Sequence, residues 1–178
     1  IMEIQQGYSR VAKSLHWLIA LLIFSEYFIG ITLDNTGWKW LHFRVGSLIL
    51  VLVLCRIIWR VTHTYPAMDP SLSRINKLMA HAGHHTLYLL MFLLPVSGLI
   101  LVFTKGVPLD LLGIHFEPLM EPLNYHSRHT IKEIHEYMAN GIFYLALLHA
   151  LAAIGHQFIH KPPILSRMLP KLWSKFIE

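Results

Sequence analysis

Thirteen histidines are the residues in this chain best able to do chemistry, and four of them, His16, His42, His135 and His149, fall within or at the edges of long apolar runs. An ionisable side chain in that setting is costly and usually functional. A neutral imidazole is a common metal ligand, and two imidazoles on opposing elements can clamp an iron porphyrin from both faces. Zinc or copper would instead want three or four converging ligands, with cysteine or carboxylate among them. No such convergence is written here. The one cysteine, Cys55, sits in an apolar run, has no partner for an intrachain disulfide, and reads as a packing residue. There is no Cys-x-x-Cys-His motif, so a haem would be held by coordination and packing alone.

The elements that must position these histidines follow from composition. Of 178 residues, 54% are hydrophobic and only 14% charged, too apolar for a soluble domain of this size. The net charge of +5 does not indicate nucleic acid, because Lys and Arg are spread over several connections and the tail rather than gathered in one stripe. Four apolar segments, about 15–33, 41–61, 86–103 and 142–159, are long enough for transmembrane helices, and their length and lack of alternation exclude membrane β-strands.

With their extensions the helices are expected over about 10–33, 39–62, 70–104 and 128–160, in one membrane domain with an outer loop at 104–127 and an inner tail at 161–178. Asp69-Pro70 reads as N-cap and N1 of the third span, and Pro95 with Gly98 should kink it before Gly106 and Pro108 end it. The fourth span should start near Ser127 to Thr130. The long connection, with three prolines, reads as an extramembrane loop carrying one short helix at most. The first span lacks a small-residue cleavage site and contains His16 and Glu26, so it is expected to be retained rather than removed as a signal peptide.

Orientation comes from Lys and Arg. With the N-terminus inside, Arg10, Lys13, Arg56, Arg60, Arg74, Lys77, Lys161, Arg167, Lys171 and Lys175 are inner, while Lys39, Arg44, Lys105, Arg128 and Lys132 are outer. That excess, with an even number of spans, places both termini in the cytoplasm. On the fourth span His135 and His149 stand 14 residues apart, which is ~21 Å along the axis on nearly the same face. One iron cannot serve both. His16 opens the first span on the inside, at the depth of His149, and His42 opens the second on the outside, at the depth of His135, giving an inner and an outer pair. Gly46, one turn after His42, and Ala139, Ala146 and Gly141 would let a porphyrin approach the backbones.

Further residues fit one known pattern. The chain carries Tyr8-Ser9-Arg10, Ser14-Leu15-His16-Trp17, His42 with Gly46, Arg56 with Arg60, and Ala80-His81-Ala82-Gly83-His84 with Leu87-Tyr88. It continues with His135-Glu136, Gly141, Leu148-His149-Ala150 and Leu165-Ser166-Arg167-Met168-Leu169-Pro170. In this order, over nearly the whole chain, these resemble the bacterial cytochrome b561 family, small four-helix dihaem cytochromes of the inner membrane linked to quinone. The resemblance implies an all-α antiparallel four-helix bundle in the bacterial inner (cytoplasmic) membrane with two b-haems in its interior. It also implies His16 and His149 as ligands of one haem b, and His42 and His135 as ligands of the other.

Other residues are candidates beside the four ligands. His156, seven after His149 and nearer the inner surface, is a candidate for a quinone site or an interfacial histidine, and Trp17 is equally ambiguous. Lys77, His81, His84 and His85 crowd the inner start of the third span, where they could bond haem propionates, relay protons, or form a solvated basic face. Arg44, Lys39, Arg128 and Lys132 flank the outer pair and could hold propionates or attract an anionic reductant. Glu26 is either a buried carboxylate serving protons or a residue near the outer headgroups.

The expected activity is electron transfer from an outer-side donor through both haems to membrane quinone. The resemblance implies ubiquinone as acceptor and an oxidoreductase of the superoxide:ubiquinone type, with superoxide or another periplasmic electron donor as reductant. Two other readings stand beside it. One is a non-catalytic haem b anchor relaying electrons between quinone and a soluble dehydrogenase or hydrogenase. The other is a histidine-lined transporter for metal or haem.

Overall fold

The computed structural model describes residues 7–111, 113–160 and 164–169. Most of the inner tail expected at 161–178, including Lys161, Lys171 and Lys175, lies outside them. In chain order the elements are α1 (Arg10–Ile31), α2 (Leu33–Thr36), α3 (Lys39–Thr62), α4 (Arg74–Phe103), the strands β1 (Leu109–Leu111) and β2 (Ile114–Phe116), and α5 (Tyr125–Gly155). A π-helical turn, His156–His160, extends α5, and a 3-10 turn follows at Leu165–Arg167. Helices α1, α3 and α4, and α5 with its extension, are each long and apolar enough to cross a membrane.

Their outward faces are apolar: Val61 is 77% exposed, Leu21 65% and Leu148 61%. A water-soluble protein could not present so much apolar surface, whereas lipid is its natural cover. The chain is therefore a multi-pass membrane protein built as an antiparallel four-helix bundle. Around the bundle α1 packs on α3, α3 on α4 and α4 on α5, while the seam between α1 and α5 is much the looser. The buried apolar centre is small, with Ile19, Ile49 and Val53 in contact and Ile142 buried on α5. Ile142 stands halfway along α5 between His135 and His149, and Ile49 halfway along α3 between His42 and Arg56, so both lie between the two histidine levels.

Two helix starts and the long connection differ from what the sequence suggests. The third span starts at Arg74, not at Asp69-Pro70: Ser73 is the N-cap, its hydroxyl accepting from the Asn76 N–H at 3.1 Å. The Asp69 carboxylate instead accepts from the backbone N–H and hydroxyl of Ser71, closing a turn of its own before the helix. The fourth span begins at Tyr125 with Asn124 as N-cap, a turn earlier than Ser127 to Thr130, because the Asn124 side chain reaches the Ser127 N–H. Between β1 and β2 the long connection forms an antiparallel hairpin, with Leu109 opposite Phe116 and no helix among its described residues.

Helix α4 runs unbroken through Pro95 to Phe103. At Gly106 the chain turns back with φ +63, where a Cβ would meet Pro122 Cδ at 2.7 Å, so glycine is required there.

Candidate functional site

At the outer level α3 and α5 bring His42 and His135 together with ring centroids 6.1 Å apart and planes at 85°. Helices α1 and α4 supply what lies against them. Glu26 of α1 places Oε1 2.8 Å from His42 Nδ1, a close contact that is not aligned as a straight hydrogen bond. Ser97 of α4 stands 2.8 Å from His135 Nδ1, and because its hydroxyl donates to the Leu94 carbonyl at 2.6 Å, the ring N–H is the donor to Ser97. A glycine of a neighbouring helix lies against each ring. A Cβ on Gly30 would meet His42 Cε1 at 3.4 Å, and one on Gly98 would meet His135 Cε1 at 3.2 Å.

At the inner level α1 and α5 bring His16 and His149 to 6.3 Å, with planes at 74°. This pair spans the loose seam of the bundle. His84 of α4 stands edge-on to His149 at 5.3 Å. Arg56 of α3 places Nη2 3.3 Å from His16 Nδ1, while its Nη1 donates to the Ala12 carbonyl at 3.2 Å and its Nε to the Tyr88 hydroxyl at 3.2 Å. Beside it Arg60 lies 4.1 Å over the Tyr65 ring. Arg56, Trp59, Arg60, Tyr65 and Tyr88 are among the residues lining a small open cleft at this end.

A family model described as prokaryotic cytochrome b561 matches residues 7–171 of the chain. The chain belongs to that family. Among relatives of this cytochrome is "Probable superoxide oxidase CybB" of Yersinia pestis, 33% identical over 171 residues that cover 92% of this chain and 96% of the relative. "Cytochrome b561 homolog 2" of Escherichia coli (strain K12) is 29% identical, covering 96% and 95% of the two chains. "Cytochrome b562" of Cereibacter sphaeroides is 29% identical over 94% of this chain and 98% of its own. Membership makes this a membrane electron-transfer protein that binds b-type haem.

The residues of this cytochrome b561 fit such a group. Two imidazoles on opposite sides of one iron, each bonded at about 2 Å through a ring nitrogen, have ring centres roughly 6 Å apart. Both observed pairs have that spacing. In the outer pair Nδ1 of each ring faces a neighbouring acceptor, the tautomer that leaves Nε2 with its lone pair. At His16 the polarity is reversed, because a guanidinium only donates and Nδ1 must accept from it. A neutral His16 could bind iron through Nε2 only once Arg56 leaves that atom, and Tyr88 and the Ala12 carbonyl are already there to hold it.

The remaining candidates are distributed unevenly. Arg44 is exposed, its guanidinium 5.5 Å over the Trp40 ring of its own helix. What lies against Gly46 is the Glu26 carboxylate, 3.4 Å from where a Cβ would stand. Of the inner cluster only His84 joins the ligand level. Lys77 Nζ donates to the Pro70 carbonyl at 3.1 Å, His81 is exposed, and His85 contacts the His81 carbonyl at 2.7 Å. Trp17 donates its indole N–H to the Met168 carbonyl at 3.0 Å, and Lys13 bonds the Leu169 carbonyl at 2.7 Å, so the chain after α5 returns to the start of α1. His156 opens the π-helical turn.

Sequence reasoning did not find the roles of Ser97, Gly30 and Gly98, and it left the partner of Glu26 open. One signal was available. In an antiparallel hairpin, residues nearly equidistant from the connection share a depth, and by that rule Glu26 meets His42 and His16 meets Arg56.

Proposed function

We propose that this cytochrome holds two haem b groups, an inner one between His16 and His149 and an outer one between His42 and His135, and passes electrons from an outer-side donor to membrane quinone. The observation that carries the proposal is the pair of facing imidazoles at each end of one helix, α5, with the ring spacing a shared iron needs. Bound haem b supplies a one-electron carrier whose potential is set by its ligands and their surroundings. The helices hold the rings, exclude water through the apolar centre at Ile19, Ile49, Val53 and Ile142, and keep the two levels ~21 Å apart along α5.

Superoxide is the proposed donor and ubiquinone the proposed acceptor. The name of the Yersinia relative supports the first, together with Lys39, Arg44, Arg128 and Lys132 at the outer end, which would draw in an anion. For the acceptor we infer a site at the inner end near His156 and Trp17, since π-helical turns such as the one His156 opens are frequent at functional sites. The excess of Lys and Arg on the side of the termini supports a cytoplasmic placement of both ends.

The test is a pyridine haemochrome assay with rapid mixing. Two haems per chain are expected in the wild type, one in His149→Ala or His135→Ala, and none in the double variant. Superoxide mixed with the oxidised protein should reduce the haem spectrum, and ubiquinone should reoxidise it. A spectrum left oxidised by superoxide would remove superoxide as donor, and full haem content in His149→Ala would remove the ligand assignment.

A further inference from the structure

The two histidine levels differ in the sign of the group that touches them. Beside His42 stands a carboxylate, Glu26 Oε1 at 2.8 Å, with only 11% of its side chain exposed. Beside His16 stands a guanidinium, Arg56 Nη2 at 3.3 Å. The other outer ligand, His135, faces a neutral hydroxyl on Ser97, and the other inner ligand, His149, faces the imidazole of His84. A carboxylate inside an apolar helix is expensive, and Glu26 is buried, unlike the exposed acids of the outer loop. The fold makes room for it: α3 has glycine at 46, against the carboxylate, and α1 has glycine at 30, against the ring that Glu26 approaches.

We propose that Glu26 is a positioning residue for His42 that makes the outer level the more electron-donating of the two, so that the outer haem has the lower reduction potential and the inner haem the higher. This rests on the two-haem reading above. A carboxylate 2.8 Å from Nδ1 favours the proton on that nitrogen by its charge, leaves Nε2 free for the ligand side and raises the basicity of the imidazole. A more basic axial ligand, with negative charge behind it, favours ferric iron and lowers the potential. Arg56 acts in the opposite direction: when its contact with His16 Nδ1 is given up, its bonds to the Ala12 carbonyl and the Tyr88 hydroxyl keep a cation near the inner level, and a cation disfavours the more positively charged iron. Electrons entering at the outer level therefore run downhill to the inner one.

The test is a potentiometric titration of the purified holoprotein, followed by visible absorbance. Wild type should give two one-electron waves. His149→Ala, which takes away the inner haem, should keep the lower wave alone. Glu26→Gln should shift the lower wave upward by about tenfold in the oxidised-to-reduced equilibrium, about 59 mV for one electron, with the upper wave unmoved. Glu26→Asp should return it towards the wild-type position.

Both waves unmoved in a Glu26→Gln protein that keeps two haems would overturn the proposal, and so would survival of the higher wave in His149→Ala. If Glu26→Gln loses the outer haem alone, recovery by Glu26→Asp supports the positioning role and failure to recover overturns it. Haem content, measured on the same samples before titration, separates this from the underlying reading. One haem per wild-type chain, or two in His149→Ala, would defeat the two-haem reading itself.

Discussion

Each imidazole of the outer pair lies against one polar atom and one glycine. His135 donates Nδ1–H to Ser97, whose own proton is committed to the Leu94 carbonyl, so the ring cannot adopt the other tautomer without leaving a buried donor unmatched. Ser97→Ala should weaken haem retention at the outer level by roughly 10–100-fold, the usual effect of losing a second-shell partner. This is read as faster transfer of one of the two haems to excess apo-globin. Gly98→Ala should act in the same direction through sterics, because the new methyl would stand 3.2 Å from His135 Cε1 and the ring must yield. A Gly98→Ala protein with unchanged outer haem retention would show that α4 can move away at no cost.

At the scale of the element, side-chain caps and local pairs decide where helices and turns stop. Ser73→Ala should cost about 1 kcal/mol and fray the first turn of α4, seen as faster amide exchange at Asn76, whereas Asp69→Ala should leave that amide protected. The outer hairpin carries its own electrostatic clasp. His115 is raised above the ordinary imidazole value, first by its hydrogen bond to Asp110 at 2.9 Å and then by the charge of that carboxylate, with a smaller contribution from Glu117. A folded-state value above the unfolded one means the contact stabilises the hairpin fully below the ordinary value, and its contribution disappears as pH rises through the raised one. An NMR titration of His115 should show this upward displacement, and Asp110→Asn should abolish most of it. Between helices, Tyr27 donates to Asn140 Oδ1 at 2.8 Å and stacks on Phe143 at 4.0 Å, tying α1 to α5 across the loose seam. Tyr27→Phe keeps the stack and loses the hydrogen bond, so detergent-solubilised protein should unfold at a slightly lower temperature, by about 0.6 kcal/mol of stability.

At the scale of the molecule, topology turns four helices into two separate sites. Because α5 carries one histidine at each level, the single helix fixes their separation, and α1 and α3 run antiparallel to present His16 and His42 at opposite depths. The distribution of Lys and Arg is the basis of the proposed orientation, with both termini cytoplasmic. Fusions of a cytoplasm-dependent fluorescent reporter to either terminus should both fluoresce, and fusions of a reporter active only outside the cytoplasm should both be silent. The opposite result would reverse the inner and outer levels together.

Helix number, span and the identity of the paired histidines were legible in the sequence because they depend on period and length. Apolar runs that must cross hydrocarbon have a fixed extent, and α3 falls at the expected 39–62. A ligand 14 residues from another on one helix can only lie two levels away. Two features remained hidden for a common reason. Asp69-Pro70 resembles a helix start as well as Ser73 does, and only the competing bond from Asp69 to Ser71 decides between them. Along the chain Glu26 names no partner and Ser97, Gly30 and Gly98 give no sign of contact with a histidine; all four acquire that role only where a neighbouring helix brings an imidazole edge within reach. Periodicity along one helix is a local property of sequence, whereas the rotation of one helix against the next is fixed by side chains from all four. Equidistance from the first connection points to Glu26 beside His42 and Arg56 beside His16, but tertiary structure alone decided that Ser97 stands behind His135 and how closely each polar atom approaches its imidazole.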